Sequence, residues 1–167
     1  MQIIAAITAL AKEHTALTPD DVGVILLDTG DSVYTLADQL AVKIPRELGW
    51  SVNKAHESKR RIPGELFISN RNNVKGLEFP FVICVSQSIS SSYKYRNALY
   101  MTLTRSFIQS RLIVSDDSNR GTLSRILDGL KRINGEGLIE VSPPSEAEKQ
   151  GIQTTFKMAT NSLSSKV

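Results

Sequence analysis

The groups best suited to binding chemistry fall in one stretch, Asn70-Arg71-Asn72-Asn73-Val74-Lys75-Gly76-Leu77-Glu78. Amides that both donate and accept, two cations, and a carboxylate that can accept from two donors at once lie within it. Its flanks are apolar. Glu65–Ser69 and Phe81–Val85 are short runs rich in β-branched and aromatic residues, the pattern of strands buried on both faces. A loop at the carboxyl end of a buried strand is where open α/β sheets hold ligands. Arg105 is the other candidate; by residue type alone it reads as a surface salt bridge at a helix end.

No familiar constellation makes the chain a self-sufficient catalyst. Gly23–Gly30 lacks the spacing and the lysine of a phosphate loop, and Gly135-Glu136-Gly137 lacks the third glycine of a dinucleotide fingerprint. Nothing resembles the Gly-x-Ser-x-Gly elbow. His14 and His56 are far apart with no cysteine pair nearby, and His56-Glu57-Ser58-Lys59-Arg60 begins like a zinc-protease helix but ends in arginine. No metal site is expected. The single Cys84 cannot form an internal disulfide, and its apolar strand makes it a buried, inert thiol.

Helices and buried strands alternate around these groups. Residues 2–14 place Ile3, Ile7, Leu10 and His14 at helical spacing, with His14 read as a surface residue at the helix end. Thr18-Pro19-Asp20-Asp21 is turn chemistry, and Val22–Leu27 is a further buried strand. A helix over 32–44 carries Val33, Leu36, Leu40 and Ile44, and Pro45 should end or kink it. Trp50–Gly64, the most charged window, reads as a solvated connection. Gln87–Ser92 is serine-rich and expected to be mobile. A helix over Tyr95–Phe107, a short strand at Arg111–Ser115 and a helix over Gly121–Asn134 follow. Leu138–Val141 suits an edge strand, Ser145–Glu148 a capping box, and the residues from Thr160 a frayed end. The alternation predicts an α/β fold with a mostly parallel sheet and helices on both faces.

The bulk properties fit that reading. A chain of 167 residues, 41% hydrophobic and 22% charged, can bury a real core as a single domain. The net charge of +3 permits a nucleic-acid partner without arguing for one. No apolar run approaches the roughly 18 residues of a membrane span, and Met1-Gln2-Ile3-Ile4 lacks the features of a signal peptide. A cytoplasmic location is the expectation.

Function comes from resemblance. Val74-Lys75-Gly76-Leu77-Glu78-Phe79, followed by the apolar strand, resembles motif V of superfamily 1 helicases of the UvrD/Rep type. Roughly twenty residues on, Arg96-Asn97-Ala98-Leu99-Tyr100-Met101-Thr102-Leu103-Thr104-Arg105 resembles their motif VI, whose core is a tyrosine, three residues, then Thr-Arg. The order helix, strand, helix upstream is that of the same lobe, so the resemblance covers about residues 1–115.

The resemblance implies the second RecA-like lobe of an ATP-dependent DNA helicase, over residues 1–142, with 143–167 as a tail. ATP in that family lies between two lobes. The first, absent here, carries the phosphate loop and the Mg²⁺ carboxylates, so the chain is expected to be a piece of a longer protein and inactive alone. Arg105 takes the role of the arginine that reaches the γ-phosphate, and Glu78 that of the acid that binds the ribose hydroxyls. Gly76 allows close backbone approach, and Lys75 sits near the phosphates or supports the loop. Asn70, Asn72 and Asn73 fall where motif V touches single-stranded DNA, or RNA, although the family often has histidine at the position of Asn72. The gap Gly49–Gly64 is too short for the accessory subdomain of UvrD and Rep. The alternative is a nucleic-acid or protein interaction module that kept the fold and lost the motor.

Overall fold

The computed structural model describes residues 2–28 and 30–136, with Ala147 and Gln150 beyond them. Contacts divide the chain into two units, Met1–Ser124 and Arg125–Val167. The first unit holds the sheet. The expected limit at residue 142, the strand at Leu138–Val141 and the frayed end from Thr160 all lie outside the described residues, as does most of the capping box and its helix.

Five strands form one sheet: β1 (Val22–Leu26), β2 (Ser51–Lys54), β3 (Glu65–Asn70), β4 (Phe79–Ser86) and β5 (Ser106–Val114), in the order β2-β3-β1-β4-β5. Every pairing is parallel, with Gly23 opposite Phe67 and Val82, and Cys84 opposite Leu112. The continuous apolar runs are what a parallel sheet demands, because both faces are covered. β1 is buried throughout, and β4 at all but Pro80. Burial pushes the Cys84 thiol up to about 12, with the Asp28 carboxylate adding to it, so no thiolate forms near neutrality.

Side-chain alternation splits the core between two faces. On one, Val22, Val24 and Leu26 join Leu66, Ile68, Phe81 and Ile83 beneath α1 (Gln2–Glu13) and α2 (Asp31–Leu48). Ile3, Ile7 and Leu10 of α1 and Val33, Ala37, Leu40 and Ile44 of α2 supply the facing stripes. On the other face, Leu27 and Cys84 pack against Tyr95 and Ala98 of α4 (Tyr93–Leu103), while Ile25, Phe67 and Val82 meet Val74 and Phe79. Helices thus cover both faces of a parallel sheet, the RecA-like α/β arrangement expected from the motifs.

Three local expectations are corrected. α2 runs through Pro45 to Leu48 and ends at Gly49, whose backbone is left-handed (φ 69°) and whose N–H donates to Pro45 O. Pro45 has no N–H to donate to the preceding turn, and the core packing of Leu40 and Ile44 on that turn holds the helix through it. The charged window holds β2 and the short helix α3 (Ala55–Ser58); β2 pairs with β3 and buries Asn53, so charge on a strand's open side concealed a real edge. The helix expected over Tyr95–Phe107 stops at Leu103, and β5 starts at Ser106 rather than Arg111, since Phe107 and Ile108 are 67% and 60% exposed on the edge strand. The last helix, α5, spans Asp116–Glu136.

The serine-rich stretch is pinned, against expectation. Asn119, buried at the start of α5, accepts from Ile89 N (2.6 Å) and donates to Gln87 O (2.8 Å) and Ser115 O (2.7 Å). Ser92 then caps α4 by accepting from Tyr95 N, and the Tyr95 hydroxyl donates to Ser86 Oγ at 2.9 Å.

Candidate functional site

Glu78 and Arg105 lie at the starts of two neighbouring strands, β4 and β5. The backbone N–H of Phe79 donates to Arg105 O at 2.9 Å, and Phe79 stands opposite Ser106 in the register. Both residues stand immediately before a strand, so this is the amino edge. α4 delivers the arginine: Tyr95, Ala98 and Thr102 are its buried side, and the turn after Leu103 is tied by Arg105 N donating to Thr102 O (3.1 Å) and Thr104 N to Tyr100 O (3.0 Å). Ser110 Oγ donates to Leu103 O, and Ser106 Oγ to Pro80 O, each at 2.7 Å. The turn is held from both strands.

Arg105 is half-buried and its Nε is buried without a partner. Its guanidinium makes no hydrogen bond or ion pair with a described residue. A buried donor left unpaired costs about 1–3 kcal/mol, and such groups call for an explanation in a native fold. The buried hydroxyl of Thr102, one turn earlier, is likewise unpaired. Glu78 is exposed. Neither Glu78 nor Arg105 is sealed in the core.

A second arginine, which the sequence reading left inside its solvated window, organises this edge. Arg61 sits with its guanidinium carbon 5.0 Å from the centre of the Phe79 ring and donates to Glu78 O (3.5 Å) and Asp20 O. The Asp20 carboxylate in turn accepts from Gly64 N at 2.8 Å. Phe79 is seated deeply because Gly23 has no side chain; a Cβ there would meet its ring carbons at 3.0–3.1 Å. The ring also lies 5.1 Å from that of Phe67. Arg61, Phe79 and Gly23 therefore fix where Glu78 begins. The only legible signal for Arg61 was the charge of its window.

The stretch that resembles motif V does not form one site. The asparagines end β3 at the carboxyl edge, whereas Glu78 precedes β4 at the amino edge. In a parallel sheet the connection must cross the sheet's full height, about 20 Å for a six-residue strand. Asn70 Oδ1 accepts from Asn72 N (3.0 Å), closing a turn over Arg71–Asn73, and Asn73 Nδ2 donates to Ser69 Oγ (3.2 Å). Lys75 and Gly76 are exposed on the crossing segment, where Gly76 has φ 80°, a conformation that favours glycine. The carboxyl-edge rule thus holds for Asn70, Asn72 and Asn73 and fails for Glu78.

At the carboxyl edge a cleft of about 150 Å³ is lined by Asp28, Gly30, Val33, Tyr34 and residues 70–72. Asp28 accepts from Gln87 N and Ser86 Oγ. Its place between the ends of β1 and β4 was not visible in the sequence, because those partners lie far along the chain.

Residues 65–113 match the family model of the UvrD-like helicase C-terminal domain. Among solved structures, the chain is similar to the C-terminal domain of a possible DNA helicase from Lactobacillus plantarum WCFS1, with 18% identity and a TM-score of 0.47 over 68% of this chain and 65% of that one. The chain thus spans less than two thirds of the length of that structure. No curated protein matches the chain. No helix among the described residues is long and apolar enough to cross a membrane. The segment that resembles the UvrD-like helicase C-terminal domain runs from β3 into β5 and contains both the crossing loop and the arginine turn.

Proposed function

We propose that this chain is the second motor lobe of an ATP-dependent DNA helicase or translocase, completing with a first lobe a cleft for ATP. The observation that carries the reading is the Phe79–Arg105 backbone hydrogen bond, which sets the chain just after Glu78 beside Arg105 at one sheet edge. The unpaired, buried Nε of Arg105 fits an anionic ligand there. ATP supplies the transferable γ-phosphoryl group when bound between the lobes. Arg105 brings a planar, permanently charged donor to the charge that builds during transfer. Glu78 can accept from both ribose hydroxyls, and Lys75 and Gly76 border the same approach. Mg²⁺ belongs to the first lobe.

Asn70, Asn72 and Asn73 bind the single strand at the other edge, through amides and backbone N–H groups that hold phosphate oxygens without reading sequence. One short segment, 70–78, then connects both ligands. A shift of the lobe on closure around nucleotide moves the strand contacts with it, and this is how hydrolysis becomes movement.

The test is Arg105→Ala in the full-length parent. Turnover of ATP should fall on the order of 10³-fold or more, with binding of single-stranded DNA largely retained. Turnover at the parental rate sinks the assignment.

A further inference from the structure

The carboxyl-edge cleft holds an aromatic ring and a free cation that none of the motifs account for. Tyr34, one turn into α2, is 43% exposed and lines the cleft. Its ring has His56 beside it, centroids 4.9 Å apart and tilted by 48°. His56 Nε2 lies 3.7 Å from the Glu57 carboxylate of α3, and Lys54 at the end of β2 pairs with that carboxylate and with Asp38 of α2 (2.8 Å). Arg71, which also lines the cleft, is half-buried, and its guanidinium makes no hydrogen bond or ion pair with a described residue. Asp28 lines the same cleft.

We infer that this cleft seats one nucleotide of a single strand, with the base stacked on Tyr34 and its phosphate on Arg71. The inference rests on the proposed strand contact and adds to it the groups that grip the base. Three features argue for this orientation. A ring braced before the ligand arrives loses little freedom on binding. A carboxylate in the cleft repels a phosphate but can accept from a base amino or imino group, so the base goes in and the phosphate stays at the cation. Every base has a π face, so stacking on a tyrosine tolerates any sequence, as a translocating protein requires.

The experiment measures binding of this chain to labelled oligothymidylate of about a dozen nucleotides, and to a strand of the same length with every base removed. The wild type should bind the intact strand roughly 5- to 100-fold tighter than the abasic one. Tyr34→Leu should erase that preference, Tyr34→Phe should keep it, and Arg71→Ala should weaken both strands and lower the salt slope by about 0.7. A wild type that does not distinguish the two strands overturns the inference, as does Tyr34→Leu with the full preference; the strand contact at the asparagines survives both results. Failure of the wild type to bind either strand overturns the inference and the strand contact together.

Discussion

Gly23 and Phe79 show how much of the site depends on a single missing carbon. Phe79 carries Arg61 on its ring and precedes the crossing to Arg105, so any shift of that ring moves the amino edge. Gly23→Ala puts a methyl group 3.0–3.1 Å from the ring carbons. Overpacking of this kind costs about 1–3 kcal/mol. Denaturant unfolding should show a loss of that size, and an unchanged midpoint would mean that the ring yields freely. His56 offers a second test at this scale. Burial is the main cause holding its imidazole below the usual 6.5, with the Lys54 and Lys59 cations acting in the same direction and the Glu57 and Asp38 carboxylates against it. The unfolded chain therefore takes up the proton first as pH falls. The neutral ring's contribution is complete above about pH 6.5 and is lost as pH drops below it toward the lower folded value. Folding stability of the wild type should decline over that range more steeply than that of His56→Gln, and parallel profiles would refute the assignment.

Elements, rather than single residues, decide how rigidly the arginine is presented. α4 has only a thin buried stripe, Tyr95, Ala98 and Thr102, and depends on its two ends. The trailing end is tied to β4 and β5, and the leading end to the loop that Asn119 holds by two hydrogen bonds, to Ile89 N and Gln87 O. Asn119→Ala removes these hydrogen bonds, at about 0.5–1.5 kcal/mol each. Amide exchange at Ile89 should quicken by more than at Val24 in the central strand; equal changes at both would show that the loop has no separate anchor. The sequence reading missed this anchor because serine-rich composition suggests mobility, and the asparagine that prevents it lies some thirty residues away, a separation no local pattern reveals. The same limit explains β2. Its four residues carry no apolar alternation, and only the pairing with β3 makes them a strand.

At the scale of the whole molecule, the proposed function assigns this chain one side of a cleft for ATP. Charge accumulating on a transferred phosphoryl group needs metal, phosphate loop and arginine together, and this chain has a candidate only for the last. The chain alone should hydrolyse no ATP above background in a phosphate-release assay, even with single-stranded DNA present; turnover by the purified chain would refute the division of labour between lobes. The fold class was determined by the sequence alone, since apolar runs at β1, β3 and β4 and helical spacing in α1 and α2 are local patterns that only a covered parallel sheet can bury. The candidates Glu78, Arg105 and the asparagines were also legible, as residue types in a recognisable order. Tertiary structure alone decided which of them meet. Parallel pairing carries the chain across the sheet between Asn70 and Glu78, separating residues eight apart in sequence. It also sets the backbone of Phe79, next after Glu78, against that of Arg105, and brings Tyr34, Arg71 and Asp28 to one cleft. Those juxtapositions are set by strand order and register, which long-range hydrogen bonds and burial determine and which leave no trace in any short stretch of sequence.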